Sequence, residues 1–109
     1  MKRTLKTLAL MLGVVGLASH AVQAQEKLKI GFITDMSSLY ADVEGKNGAL
    51  AIQMAIDDFG GKVNGMPIEL LSADHQNKPD IAAAKAREWI DTQGLTMLFG
   101  GTSSGTALA

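Results

Sequence analysis

The spacing of apolar and polar positions changes several times along the chain. Thr7–Ala18 (TLALMLGVVGLA) is an uncharged, mostly apolar run, shorter than the roughly 20 residues that a membrane-spanning helix needs. Leu28–Thr34 (LKIGFIT) is compact and almost continuously apolar, with β-branched and aromatic members. That pattern predicts a strand buried on both faces, as in a parallel sheet. Asp35–Val43 is small and polar, a loop. From Glu44 to Phe59 the period becomes helical: Gly48, Ala51, Ile52, Ala55, Ile56 and Phe59 form one stripe, and the small residues in it would let the helix lie close to a sheet. Asp42 is expected as the N-cap. Gly60-Gly61 is the stop, because glycine readily takes the left-handed conformation that closes a helix.

Beyond that helix, Lys62–Met66 carries an Asn64-Gly65 turn signal, and Pro67 opens a second strand, Ile68–Ala73. A polar loop, Asp74–Lys78, leads to a helix over Pro79–Gln93, with proline in its first turn and Gly94 after its end. Ala82, Ala86, Trp89 and Ile90 share a face of it, and Trp89, Met54, Met66 and Met97 are core candidates. Thr96–Phe99 is a short third strand, and Gly100–Gly105 (GGTSSG) opens onto another helix. The order β-α-β-α-β-α predicts parallel strands joined by right-handed crossovers, a doubly wound α/β sheet.

Charge changes the reading of the N-terminus. Lys2, Arg3 and Lys6 precede the apolar run, and Ser19–Ala24 follows it with Val22 and Ala24 at the −3 and −1 positions of a small-residue cleavage site. Together they predict a secretory signal peptide over residues 1–24, cut after Ala24, and no Cys follows the run to carry a lipid. Three of the ten Lys and Arg lie in that leader and all eleven Asp and Glu lie beyond it, so the mature part carries −4 against −1 for the whole chain. A mildly acidic surface without a basic run argues against nucleic acid or anionic lipid as partner. An exported domain of this size without cysteine must build a real core or belong to something larger. The end of the chain, Ser103–Ala109, reads as the first turn of a helix with no stop signal. Residues 25–109 are therefore expected to be the first part of a larger lobe, poorly soluble or partly folded if made alone.

In an open parallel sheet, ligands bind beyond the carboxyl ends of the strands. The loops leaving those ends are Asp35–Val43, Asp74–Lys78 and Gly100–Gly105. In the last, two glycines allow close backbone approach, and Thr102, Ser103 and Ser104 bring hydroxyls to a helix start. Such a turn suits a carboxylate; plain N-capping by Thr102 or Ser103 is the alternative. The first loop offers Ser37, Ser38 and Tyr40, whose ring can cover an organic ligand while its hydroxyl bonds to it, and Met36 as a cleft residue. Asp42 is better explained as a cap. Asp74-His75 has no further ligand nearby and does not make a metal site, so His75 is expected to be an ordinary loop residue. No nucleophile elbow, cysteine or acid–base carboxylate pair supports catalysis. The glycines after the third strand fit neither the dinucleotide fingerprint nor a phosphate-binding loop. No enzyme, metal or cofactor is expected.

With these loops placed, the chain resembles the periplasmic solute-binding proteins of branched-chain-amino-acid-type ABC transporters, the leucine/isoleucine/valine-binding family. The likeness is carried by Lys29-Ile30-Gly31-Phe32 leading to Asp35-Met36-Ser37-Ser38, by Gly45 and Gly48 ahead of Asp57-Asp58-Phe59-Gly60-Gly61, by Val63-Asn64-Gly65-Met66-Pro67-Ile68-Glu69, by Asp74–Asp80 and by Gly101-Thr102-Ser103-Ser104. It implies a type I periplasmic binding fold of two α/β lobes that closes on ligand by a hinge. It also implies periplasmic location, a membrane permease as partner, a monomeric full-length protein, and a small amino acid or organic acid as ligand. The resemblance puts Ser103, with Thr102 and Ser104 beside it, at the position whose hydroxyl holds the ligand carboxylate, and Tyr40 in a loop that often supplies an aromatic lid. An amino acid's ammonium group would be met by the second lobe. The chain departs from leucine-binding members in lacking a Cys pair and in having Ser37-Ser38-Leu39 where Ser-Gly-Pro is usual. Ser37–Asp42 and Asp74–Lys78 look more like a branch associated with aromatic or other organic acids. An exported sensor domain of the same fold is the competing expectation.

Overall fold

The computed structural model describes residues 26–109; the expected leader and its cleavage site lie outside them. Strand β1 (Leu28–Thr34) is followed by helix α1 (Gly45–Phe59), strands β2 (Lys62–Val63) and β3 (Met66–Asp74), helix α2 (Pro79–Gln93), strand β4 (Leu95–Gly100) and a short helix α3 (Ser104–Leu108). The strands line up as β2-β3-β1-β4. β1 pairs in parallel with β3 on one side, Leu28 opposite Ile68 through Thr34 opposite Asp74, and with β4 on the other, Ile30 opposite Met97 through Ile33 opposite Gly100.

The chain thus steps from β1 outward to β3, then crosses back over β1 to β4. Right-handed crossovers in opposite directions put their helices on opposite faces of the sheet. Side chains on β1 alternate accordingly. A Cβ added at Gly31 would lie 2.9 Å from the Trp89 ring of α2, whereas one added at Gly48 of α1 would lie 3.0 Å from Cζ of Phe32, the next residue along. Both helices approach the central strand at glycine, which is what allows an indole on one face and a phenyl on the other. The core on the α2 face is Ile33, Ala82 and Trp89, flanked by Leu71, Ala73, Ala86 and Leu95. On the α1 face Phe32 and Ile56 are buried.

Several expectations are corrected. The inward row of α1 is Gly45, Gly48, Ile52 and Ile56; Ala51 and Ala55 face outward, and Phe59, past the last buried position, is 68% exposed. Met54 and Met97 are exposed and Met66 is half-buried, Met54 because it lies on the outer side of α1 and Met97 because β4 is an edge strand among the described residues. Ile90 is also exposed, since it overhangs the open side of β4. There it lines, with Leu98, Phe99 and Ala107, a cavity of about 320 Å³ between α2, β4 and α3. Asp42 does not cap α1: the helix begins after Glu44, and no side chain bonds to its first N–H groups. The segment expected as a turn-bearing loop contains strand β2. Asn64 (φ 48°) and Gly65 (φ 81°) make a two-residue hairpin turn, which needs positive φ at both positions and joins β2 to β3 in antiparallel.

Candidate functional site

β1 is the strand where the direction of winding reverses, and β4 lies on its far side. Their connections leave to opposite faces, α1 packing with β3 while α3 packs with α2. A crevice forms at such a reversal, outside the carboxyl ends of the two strands. It is bordered by the loop after β1 (35–44), the loop after β3 (75–78) and the turn after β4 (101–103).

The first loop is folded around one carboxylate. Oδ1 of Asp35 accepts from the N–H groups of Ser37 (3.3 Å) and Ser38 (2.8 Å); Oδ2 accepts from the Ser38 hydroxyl (2.6 Å) and the Tyr40 N–H (2.9 Å). Burial pushes the Asp35 carboxyl upward, but the Ser38 hydroxyl and the N–H groups of Tyr40, Ser38 and Ser37 together outweigh it and hold the group at about 2. Asp74, at the end of β3, ties this loop to the second. Its Oδ1 accepts from Met36 N–H (2.9 Å) and Gln76 N–H (2.8 Å), and its Oδ2 from the Ser37 hydroxyl (2.5 Å). Here too burial raises the group; the Ser37 hydroxyl and the N–H groups of Met36 and Gln76 prevail over it and over the nearby Asp35 charge, so it lies below the ordinary carboxylate range. Both carboxylates are occupied by donors of these two loops.

The turn after β4 is docked on β1 by Gly101 N–H to Ile33 C=O at 3.1 Å. A Cβ at Gly101 would overlap Thr34 Oγ1 and lie 3.0 Å from Glu44 Oε1. Those two buried oxygens have no hydrogen-bond partner among the described residues. Only glycine fits there. Ser103 stands in the N-cap position of α3, but its hydroxyl caps nothing: it donates to Asn77 Oδ1 at 2.9 Å. Its carbonyl accepts from the Thr106 hydroxyl (2.8 Å) and the Ala107 N–H (3.0 Å).

Of the residues expected to bind ligand, Thr102 and Ser104 are exposed, Ser103 between them is only 6% exposed, and Tyr40 is half-buried. Ser37 is exposed, with its hydroxyl given to Asp74. Residues that sequence reasoning passed over organise the site. His75, expected to be an ordinary loop residue, is 1% exposed, with its ring between Asn77 N–H and the Thr106 hydroxyl. Asp35 could have been found, because an Asp followed by Ser two and three positions later is a turn-forming pattern. Asn77 and Thr106 carried no such signal.

Hydroxyls and glycines are thus gathered at the reversal point of a parallel sheet, and the two carboxylates there are spent on loop structure. The periplasmic binding protein family profile matches residues 27–109, and the chain belongs to that family. Comparison with curated proteins gives no match. Among solved structures, a periplasmic binding protein from Burkholderia mallei is 68% identical, with a TM-score of 0.74, over 75% of this chain and 22% of that one. A branched-chain amino acid ABC transporter periplasmic ligand-binding protein from Burkholderia xenovorans is 50% identical, with a TM-score of 0.71, again over 75% and 22%. A solute-binding protein of an ABC transporter from Rhodopseudomonas palustris, solved with 3,4-dihydroxybenzoic acid, is 29% identical, with a TM-score of 0.69, over 75% and 22%. The matched region is about a fifth of each of these proteins.

Proposed function

We propose that this chain supplies part of one cleft wall in the substrate-binding component of an ABC transporter, which captures a small carboxylate-bearing solute without turning it over. The solute class is an amino acid or an aromatic or other organic acid. In this reading residues 1–24 direct export and are removed after Ala24, the protein works in the periplasm as a monomer, and a membrane permease receives the ligand. The observation that carries the reading is the run Thr102-Ser103-Ser104 at the carboxyl end of β4, where the sheet reverses, in a chain whose relatives include transporter binding proteins. A hydroxyl can donate to a carboxylate oxygen; those of Thr102 and Ser104 are exposed, and that of Ser103 between them can join them when its proton is released from Asn77. The ligand in the Rhodopseudomonas protein is an aromatic carboxylic acid, which supports that chemistry for the cleft.

The test is a thermal-shift screen of the complete mature protein against branched-chain amino acids, their amides and aromatic acids. A ligand at a hundred times its Kd should stabilise the fold by about 2.7 kcal/mol, and Ser103→Ala should abolish the shift for carboxylates. A normal shift in that variant removes Ser103 from the site.

A further inference from the structure

Ser103 has a single hydroxyl proton, and that proton is directed at Asn77 Oδ1. A hydroxyl that gives its proton to a neighbouring carbonyl has only lone pairs to offer a ligand, and lone pairs repel a carboxylate. The bonds around it form a closed, one-way ring. Asn77 N–H donates to His75 Nδ1 at 2.9 Å. With Nδ1 an acceptor, a neutral imidazole carries its proton on Nε2, 3.2 Å from Thr106 Oγ1. The Thr106 hydroxyl donates onward to the Ser103 carbonyl, so it can only accept from His75; the two constraints specify the same tautomer. Ser103 Oγ returns the ring to Asn77. Asn77 itself is held at φ 52°, next to Gln76 at φ 52°, a conformation in which asparagine is among the few tolerated side chains. The ring therefore fixes the Asn77 backbone through His75 while leaving its terminal amide as the one part that can be inverted without breaking another bond.

We propose that Asn77 is the positioning residue that sets the hydrogen-bonding polarity of Ser103. Half a turn of its amide brings Nδ2 to the serine oxygen as a donor, and the freed serine proton then goes to the ligand carboxylate. In the inverted state the serine oxygen stays paired, Asn77 Nδ2–H to Ser103 Oγ and Ser103 Oγ–H to the ligand, while Asn77 Oδ1 turns outward on a side chain that is only half-buried. With the amide as it stands, Ser103 is instead suited to a ligand N–H. The inference rests on the reading that Ser103 grips a carboxylate, and adds that a neighbour 26 residues earlier decides whether it can.

The test uses the complete mature protein with benzoate and isoleucine, each paired with its primary amide, and titration calorimetry on wild type, Ser103→Ala, Asn77→Asp and Asn77→Gly. Aspartate can only accept, so it pins the serine proton; Asn77→Asp should weaken carboxylate binding about tenfold to a hundredfold and leave the amide as tight or tighter, reversing the preference. Asn77→Gly suits the positive φ and frees the hydroxyl, so the preference for the carboxylate should survive with a smaller loss. The Asn77→Asp effect should also largely disappear in a Ser103→Ala background, because the two substitutions act on one bond. If neither carboxylate binds the wild type, or if Ser103→Ala binds as wild type does, the underlying reading fails and this one with it. If binding needs Ser103 but Asn77→Asp keeps the carboxylate preference, or its loss simply adds to that of Ser103→Ala, only the role given to Asn77 is overturned.

Discussion

Two of the three segments that border the crevice are built by different means. The loop after β1 is organised mainly from within: Asp35 bonds to residues two, three and five positions ahead of it, and Asp74 adds a tie from β3 at Met36 and Ser37. The turn after β4 is organised from outside. Ser103 is held by Asn77 and, through Thr106, by His75, partners 26 and 31 residues from the groups they touch, and Gly101 is pressed on Thr34 and Glu44. A locally braced loop can keep its form while the rest of a lobe moves; a turn braced by tertiary contacts keeps its form only while the strands and helices that carry its partners stay in place.

That contrast can be broken at several points. Asp35→Ala should cause the largest loss of melting temperature in this set, because it strands the N–H groups of Ser37, Ser38 and Tyr40 at once; a small change would mean that the loop is held by its other turns. Asp35→Asn should flatten the acid limb of the stability curve. The folded group titrates at about 2 against an ordinary 3.8, so its contribution is complete above the unfolded value and is lost as pH falls from there through about 2. Melting curves between pH 2 and pH 5 for the two proteins check the sign.

Gly101→Ala should cost about 1–3 kcal/mol, the range for forcing a methyl into a filled space, and should weaken ligand binding because it lifts the turn off Thr34. Thr106→Val, with the hydroxyl replaced at constant shape, should cost about 1–2 kcal/mol by leaving the Ser103 carbonyl and the His75 ring short of a partner, and Thr106→Ser should restore most of it. Ser37→Ala should be the mildest, below about 1 kcal/mol, since Asp74 keeps its two backbone donors. A larger effect of Ser37→Ala on ligand binding than on melting would place that hydroxyl in the site after all.

Much of the fold is written in local pattern. The bounds of α2, Pro79–Gln93, follow from a proline that suits only a first turn and a glycine (φ 63°) that ends the helix. The alternation of strands and helices, with an apolar β1, leads to a parallel sheet with that strand in its interior. The inward face of α1 was less legible, because Ala51 and Ala55 adjoin the buried row and are equally small and apolar. The hairpin turn at Asn64-Gly65 was visible while β2 was not: two residues are too few to show a period.

Alone, the sequence determined the order of elements, their parallel winding, the family, and which loops gather at the carboxyl ends of the strands, because each depends on periodicity, glycine and proline placement, or motif order along the chain. Only the tertiary structure decided that His75 is buried, that Asp35 and Asp74 are spent on holding loops, and that the Ser103 proton points at Asn77. These depend on which atoms meet when β1, β3 and β4 come into register, and a hydrogen bond between residues 26 apart leaves no periodic trace in either segment.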